Sequence, residues 1–118
     1  MESILTSIKM DLGLTEEQKH FDTQIIKHIN STFMVLNQLG IGPEECFSIS
    51  SEFETWEQFL GETMQYLEAV KTYVYYRVKL DFDPPQSAAQ IAAMERSADR
   101  LEWRLTTQAD LKKPNKEA

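Results

Sequence analysis

Two histidines and an Asp–x–Asp pair are the residues of this chain whose types could bind a metal. His20 and His28 stand outside any HExxH motif and away from clustered cysteines, so the ligand spacing of a zinc site is missing. Asp81 and Asp83 have the spacing that binds divalent cations in some enzymes. Pro84 follows them directly, however, and the chemistry of a helix end accounts for both aspartates. We predict no metal site.

A second group of ionisable residues, Glu44, Glu45, Glu52 and Glu54, surrounds the single cysteine, Cys46. Paired carboxylates can do general acid–base work when burial raises the pKa of one of them, but a solvated acidic loop is the simpler interpretation. The cysteine has no cationic neighbours in sequence that would favour a reactive thiolate. The chain also lacks a GxSxG elbow, a P-loop and a dinucleotide fingerprint. We therefore expect no catalytic residue, no cofactor and a non-enzymatic protein.

The remaining candidates are side chains suited to binding another protein. Trp103 lies beside Arg100 and Arg104, and tryptophan and arginine dominate the hot spots of protein interfaces. Trp56 and Phe59 follow the acidic segment and raise the same question. For both tryptophans we expect a position in the core, with a partner anchor as the alternative.

The composition sets the frame for these residues. The chain has 118 residues, of which 42% are hydrophobic, and this suffices for one domain with a modest core. No apolar stretch approaches the length needed to cross a bilayer. The net charge is −7, and no basic cluster is dense enough to indicate nucleic-acid binding. An acidic protein can nevertheless stand close to DNA if its role is to let DNA slide past.

The first part of the chain predicts two helices. Residues 2–12 carry apolar side chains at helical spacing, and Gly13 follows as a helix-ending glycine. Thr15 opens a capping-box sequence that suits a short turn. Asp22 is the predicted N-cap of a longer helix that Gly40 ends. The apolar stripe of this longer helix consists of Ile25, Ile26, Ile29, Phe33, Leu36 and Leu39.

The helical pattern breaks over residues 40–54, where a Gly–Pro turn precedes a segment, residues 46–50, that we predict to be extended or a short β-hairpin. Thr55 then opens a second capping box, for a short helix that Gly61 ends. Residues 65–82 form a strong helix that is apolar on much of its circumference, which is typical of a central element.

Two prolines end this helix after Asp83, and Ser87 caps the next one. That last helix carries a heptad-like seam made of Ile91, Met94, Ala98, Leu101 and Leu105. Residues 111–118 are polar, and we expect them to be unstructured unless a partner orders them. The predicted fold is therefore all-α: four main helices in a small bundle, one short helix, and an irregular or short β-hairpin excursion. We take residues 1–110 as one helical domain and 111–118 as a polar tail.

Several stretches in order resemble the phage head–tail connector, or adaptor, family of siphophages and prophages of Gram-positive bacteria. They are HINSTFMVLNQLGIGPEECFSI (28–49), TWEQFLGE (55–62), LEAVKTYVYYRVKLDFDPP (67–85) and LEWRL (101–105). The resemblance covers roughly residues 1–108. None of these stretches is catalytic, so its specificity lies in their ordered combination.

The resemblance implies a structural virion protein located in the neck, at the head–tail interface, after assembly in the host cytoplasm. About twelve copies would form a ring beneath the portal protein. The ring would extend the DNA channel, let genomic DNA pass without sequence-specific binding, and dock a stopper or tail-completion protein. Stoppers are richer in strand, so the helical content favours an adaptor.

The resemblance also suggests where the contacts lie. The end of the last helix and the tail would reach the portal, through Leu105, Leu111, Lys112 and Lys113. The excursion would contact a neighbouring subunit or the stopper, through Glu44, Glu45, Phe47, Ile49, Trp56 and Phe59. The alternative role for that excursion is to cover the open end of the core. The alternative function for the whole chain is that of a small helical regulatory protein that sequesters a host or phage partner through Trp103 and the heptad seam.

Overall fold

The fold is all-α, as predicted. The structure is a computed structural model that describes residues 2–112. The helices in this range are α1 (Ile4–Asp11), α2 (Asp22–Leu39), α3 (Trp56–Leu60), α4 (Leu67–Phe82) and α5 (Ala88–Lys112), with a 3₁₀ helix (Gly61–Tyr66) joining α3 to α4. Four long helices and one short one confirm the prediction. No helix in this range is long and apolar enough to cross a membrane.

Local capping chemistry explains most of the helix ends. The capping box at Thr55 is complete: the Gln58 N–H donates to the Thr55 hydroxyl at 3.2 Å, and the Thr55 N–H donates to the Gln58 side chain at 3.0 Å. Gly40 ends α2 in the left-handed conformation, at φ 92°. Asp83, before two prolines, ends α4. The start of α4 lies two residues later than predicted, because Gln65 belongs to the 3₁₀ helix.

The prediction that Asp22 caps α2 is wrong. Phe21 occupies the cap position without a side-chain hydrogen bond, and Asp22 is the first residue of the helix. The Asp22 carboxylate instead forms an ion pair with the ammonium of Lys9 at 2.8 Å. Lys9 is buried in α1 and also donates to the Glu16 carbonyl at 3.3 Å. A buried ammonium requires a counter-charge, so this pairing takes the carboxylate away from the cap.

Helix α4 is the central element, because both α2 and α5 pack against it. Its Tyr73, Val74 and Val78 are fully buried. The heptad-like seam of α5 faces this core: Ala98 and Leu105 are buried, and the other seam residues are partly buried. The predictions of a central α4 and an inward-facing seam are therefore confirmed.

A joint between α1 and α3 closes one end of the bundle. Ser3 and Thr55, the N-caps of these two helices, pair through an isolated antiparallel bridge. The Ile4 N–H donates to the Glu54 carbonyl at 3.0 Å, and the Trp56 indole N–H donates to the Ser7 hydroxyl at 2.8 Å. We call this arrangement the Trp56 joint. It gives a buried indole N–H the partner that burial demands.

Of the two forms expected for the excursion, the structure has the irregular one: the hairpin alternative over residues 46–50 is wrong, since the part of the chain that the structure describes contains no β-strand. Cys46 has a φ of 59°, which breaks an extended run. The N–H and the carbonyl of Ile49 bind the side-chain amide of Asn30, at 2.7 Å and 2.9 Å. A side chain on α2 therefore satisfies the backbone groups that a second strand would otherwise bind.

Candidate interaction surfaces

The residues considered for metal chemistry are not assembled into a site. Among residues 2–112, no group of three or more histidine, cysteine or acidic side chains could hold a metal ion. The imidazole of His20 packs on Phe21, and that of His28 lies near the ring of Phe82. Asp83 pairs with Lys79 at 3.0 Å, one turn earlier in α4. The ion pair of Asp83 is typical of a helix end, and the ring contacts of the two histidines are typical of side chains at the edge of the core.

A cluster of polar side chains ties α4 to α5. The guanidinium of Arg77 contacts the carboxylates of Asp99 and Glu102, each at 3.0 Å, and the Tyr73 hydroxyl donates to Glu102 at 2.9 Å. Burial alone would lower the pKa of Arg77, but its bonds to Tyr73, Glu102 and Asp99 outweigh burial and raise that pKa. Burial raises the pKa of the Tyr73 hydroxyl. Each member has a partner within the cluster, so the cluster holds α4 and α5 together.

The segment between α2 and α3, residues 40–54, is fixed along α2, and we call it the acidic loop. At one end Asn37 donates to the carbonyls of Pro43 and Glu44, at 2.9 Å and 3.3 Å. At the other end Asn30 holds Ile49. Since the two asparagines are seven residues apart on one helix, the loop runs along about 10 Å of α2. Two side-chain amides thus keep its backbone in place.

The carboxylate of Glu54 closes the end of the acidic loop. One of its oxygens accepts from the N–H and hydroxyl of Ser50, at 3.0 Å and 3.1 Å. The other accepts from the same two groups of Ser51, at 3.1 Å and 3.2 Å. Burial would raise the pKa of the Glu54 carboxyl, but these hydrogen bonds outweigh it and lower the pKa. The carboxylate is thus committed to holding the turn.

An aromatic cluster lies beneath the loop and includes several residues predicted to form an interface. Phe59 stacks on Phe33 with ring centroids 4.3 Å apart, and Trp56 and Phe47 meet the edge of Phe33. Ile49, Trp56 and Phe59 are buried within the protomer, whereas Phe47 is half-buried. The expected core position of Trp56 is therefore confirmed. The backbone at Gly42 lies so close to Phe59 that a Cβ there would be 2.5 Å from the ring.

The acidic loop presents acidic side chains and one aromatic ring to solvent. Glu44 and Glu45 are exposed. Glu52 is exposed as well and meets Lys19 at 3.4 Å. Phe53 is 80% exposed, more than any other large hydrophobic residue identified as exposed. Phe53 was not among the contact residues predicted from the sequence. Its position between two glutamates, in a segment without apolar periodicity, was the available signal.

The expectation that Trp103 belongs to the core is wrong, because its side chain is 70% exposed. It lies on the face of α5 opposite the seam, where Arg96, Arg100 and Arg104 follow at intervals of four residues. All three arginines are exposed, and within residues 2–112 none of them has an ion-pair partner. We call these three arginines and Trp103 the arginine stripe.

A groove borders the arginine stripe where α4 and α5 meet. One concavity of about 390 Å³ is lined by Trp103, Arg104 and Leu105, with Tyr66 and Ala69 on the opposite wall. Arg104 also lines the adjoining concavity of about 290 Å³, which continues between the two helices. The groove combines apolar walls with cationic edges, a composition that suits a protein segment carrying both apolar and acidic side chains.

The residues expected to contact the portal lie at the end of α5. Leu105 faces the core and is buried. The helix continues through Lys112, two residues past the boundary expected between domain and tail, so Leu111 and Lys112 belong to its last turn. Lys113 lies outside the residues that the structure describes.

These features together define a helical chain with an acidic loop on one part of its surface and an arginine stripe on another. The phage connector protein family matches residues 4–112, from the first residue of α1 to the last residue of α5. The chain belongs to this family. The family is structural rather than catalytic, and its members serve in the virion, in assembly with portal or tail components. No curated protein and no solved structure matches the chain.

Proposed function

We propose that the protein is an adaptor subunit of the head–tail connector. In this proposal about twelve copies form a ring beneath the portal protein. The ring extends the DNA channel and docks the next neck component, a stopper or tail-completion protein. The observation that carries the proposal is that the connector family spans every helix of the fold.

The exposed apolar side chains support assembly. Trp103 and Phe53 are large, and they lie on α5 and on the acidic loop, two separate parts of the protomer. A contact between two different surfaces of identical subunits can close into a ring, and closure covers both surfaces in every copy. The net charge of −7 suits a channel wall past which DNA slides without sequence-specific binding.

The first test is the mass of the protein in solution, alone and mixed with its cognate portal, measured by light scattering with negative-stain imaging. We expect a ring alone, or a portal bearing about a dozen additional subunits. Acidic subunits repel one another, so the salt concentration should be varied, since screening shortens this repulsion to about 10 Å at 0.1 M. A protein that stays monomeric and ignores the portal at all salt concentrations would favour the regulatory binding protein instead.

We propose that the portal contact lies at the end of α5 and in the tail and involves Leu111, Lys112 and Lys113, with the buried Leu105 earlier in the same helix. Truncation after Asp110 removes the first three of these residues and leaves the buried Leu105 in place. We expect this truncation to abolish portal binding while the helical circular dichroism and the denaturation midpoint stay nearly unchanged. Retained binding would exclude the end of the chain as the portal contact.

A further inference from the structure

The arginine stripe is an unusual concentration of unpaired positive charge in an acidic protein. Arg96 and Arg104 lie eight residues apart on α5, so the stripe extends over about 12 Å. In the described part of the chain, the only side-chain hydrogen bond of the three arginines is that from Arg100 to Ser97, at 3.3 Å. Arginine donors that meet no carboxylate within residues 2–112 can bind one from another chain.

The surface beside the stripe adds an apolar requirement to this charge. Trp103 is 70% exposed, and it borders the groove whose opposite wall is formed by Tyr66 and Ala69. An exposed tryptophan next to arginines has the composition of an interface hot spot. The matching ligand therefore carries carboxylates together with an apolar or aromatic side chain.

The acidic loop has this composition. Glu44 and Glu45 are exposed and form no ion pair within residues 2–112, and Phe53 stands in solvent near the other end of the loop. The loop runs along about 10 Å of α2, which is close to the length of the stripe. Asn30, Asn37 and Glu54 already hold it in one conformation, so binding orders little further backbone.

We propose that the arginine stripe of one subunit binds the acidic loop of the next, with Arg96, Arg100 and Arg104 facing Glu44, Glu45 and Glu52 and with the aromatic rings of Trp103 and Phe53 in the groove. The stripe is on α5 and the loop is fixed to α2, so each copy offers both surfaces and the contact is heterologous, as a ring requires. The inference rests on the proposed ring and names its subunit interface.

The charges favour a second copy over DNA as the occupant of the stripe. The exposed Glu95 and Asp99 lie on the same helix, between and beside the arginines, and would repel phosphates. Three arginines in a chain of net charge −7 make a weak electrostatic footprint for a nucleic acid. Carboxylates placed at intervals meet such a mixed surface better than a continuous line of phosphates does.

Charge reversal tests the contact from both sides. The stripe variant carries Arg100→Glu and Arg104→Glu, and the loop variant carries Glu44→Arg and Glu45→Arg. A control with Glu16→Arg and Glu17→Arg makes the same charge change at another exposed pair of glutamates. All six side chains are exposed, and circular dichroism melts check that each variant folds. Self-association is measured by analytical ultracentrifugation at low salt, and subunits bound to the portal are counted in negative stain.

We expect each of the stripe and loop variants alone to lose self-association by about tenfold or more, whereas the control keeps it. An equimolar mixture of the two variants should regain it. In the mixture, the acidic stripe of the stripe variant meets the basic loop of the loop variant. The unmodified stripe of the loop variant meets the unmodified loop of the stripe variant, so the two variants alternate. This alternation is specific to a heterologous contact between these two surfaces.

The outcomes separate this inference from the proposed function. Rings of both variants on the portal, equal to those of the unmodified protein, would overturn the stripe–loop contact and leave the adaptor function standing. The adaptor function alone would be overturned if the unmodified protein failed to bind the portal while ultracentrifugation still showed loss of self-association in each variant and its recovery in their mixture. The inference is also overturned if the unmodified protein never self-associates, either free or on the portal. It is overturned as well if the stripe variant loses binding to duplex DNA while its self-association is unchanged.

Discussion

The two tryptophans occupy opposite environments, although each lies on a helix with acidic residues nearby. Trp56 is fully buried at the first position of α3, and its indole N–H donates to Ser7 at 2.8 Å. Trp103 lies on α5 with 70% of its side chain exposed. The difference lies in the tertiary packing: Trp56 meets α1 and α2, whereas α5 packs chiefly on α4 and leaves its outer face open.

One residue type thus lies in the core in one place and on an open surface in another. The Trp56 joint brings together the ends of α1 and α3, and its burial contributes to folding. The arginine stripe lies along a 25-residue helix whose core seam uses only one face. A long edge helix therefore offers surface that the protomer does not need for its own core.

The largest effect expected is the loss of stability on truncating Trp56. Trp56→Ala removes a fully buried ring and leaves a cavity beside Phe33, so we expect the free energy of unfolding to fall by about 3–5 kcal/mol. Trp103→Ala should change it by no more than about 0.5 kcal/mol, because the ring is mostly exposed. Urea denaturation followed by far-ultraviolet circular dichroism measures both. The milder Trp56→Phe serves if the alanine variant fails to fold.

In ring assembly we expect the opposite ranking: substitution of Trp103 should have the larger effect and substitution of Trp56 the smaller one. Trp103→Ala should weaken self-association or portal loading, whereas folded Trp56→Phe should assemble as the unmodified protein does. Equal losses of stability for the two alanine variants would show that Trp103 is packed in solution, and the comparison between the regions would fail.

A smaller loss of stability is expected at the ion pair that fixes α1 to the start of α2. Asp22→Ala leaves the buried ammonium of Lys9 without its counter-charge, and we expect a loss of about 3 kcal/mol. Asp83→Ala is the matched control, because it breaks an ion pair with Lys79 that is more exposed, with an expected loss of about 0.5 kcal/mol or less. Denaturation midpoints compare the two. Similar small losses would mean that water reaches Lys9 in solution.

Helix positions could be predicted from the sequence because their causes are local. Apolar spacing located α2 and α4, Gly40 marked the end of α2, and the capping residue Thr55 marked the start of α3. The class of the fold and the inward face of α5 followed from the same periodicity. The arginines and the acidic loop were also visible as candidate contact residues, because both are defined by charge along the chain.

The failures have non-local causes. Asn30 binds Ile49 across 19 residues of sequence, and this contact replaces the predicted hairpin. The Asp22 carboxylate pairs with Lys9, which lies on another helix, and does not cap α2. The exposure of Trp103 depends on how few elements cover α5. Each outcome depends on a partner brought close only by tertiary folding, which local propensity does not encode.

The smallest effect expected concerns Glu54, which links the acidic loop to the Trp56 joint: its carbonyl accepts from the Ile4 N–H, and its carboxylate holds Ser50 and Ser51. Because the pKa of this carboxyl is below its ordinary value of 4.5, the carboxylate stabilises the loop above that pH. This stabilisation is lost as the pH falls through the lowered pKa. Glu54→Gln should remove its pH dependence and cost ~1 kcal/mol of local stability, after discounting for exposure.

Amide hydrogen-exchange protection of Ser50 and Ser51, measured by NMR between pH 7 and pH 3 and corrected for intrinsic exchange rates, resolves this local change. Protection should be constant near neutral pH in the unmodified protein and fall in acid, while the amides around Trp103 keep theirs longer. Glu17→Gln is the control, because Glu17 is an exposed glutamate outside the acidic loop. If Glu54→Gln retained the protection and its acid transition, the turn would not depend on this carboxylate. The loop would then need another source of the preorganisation on which its contact with the arginine stripe relies.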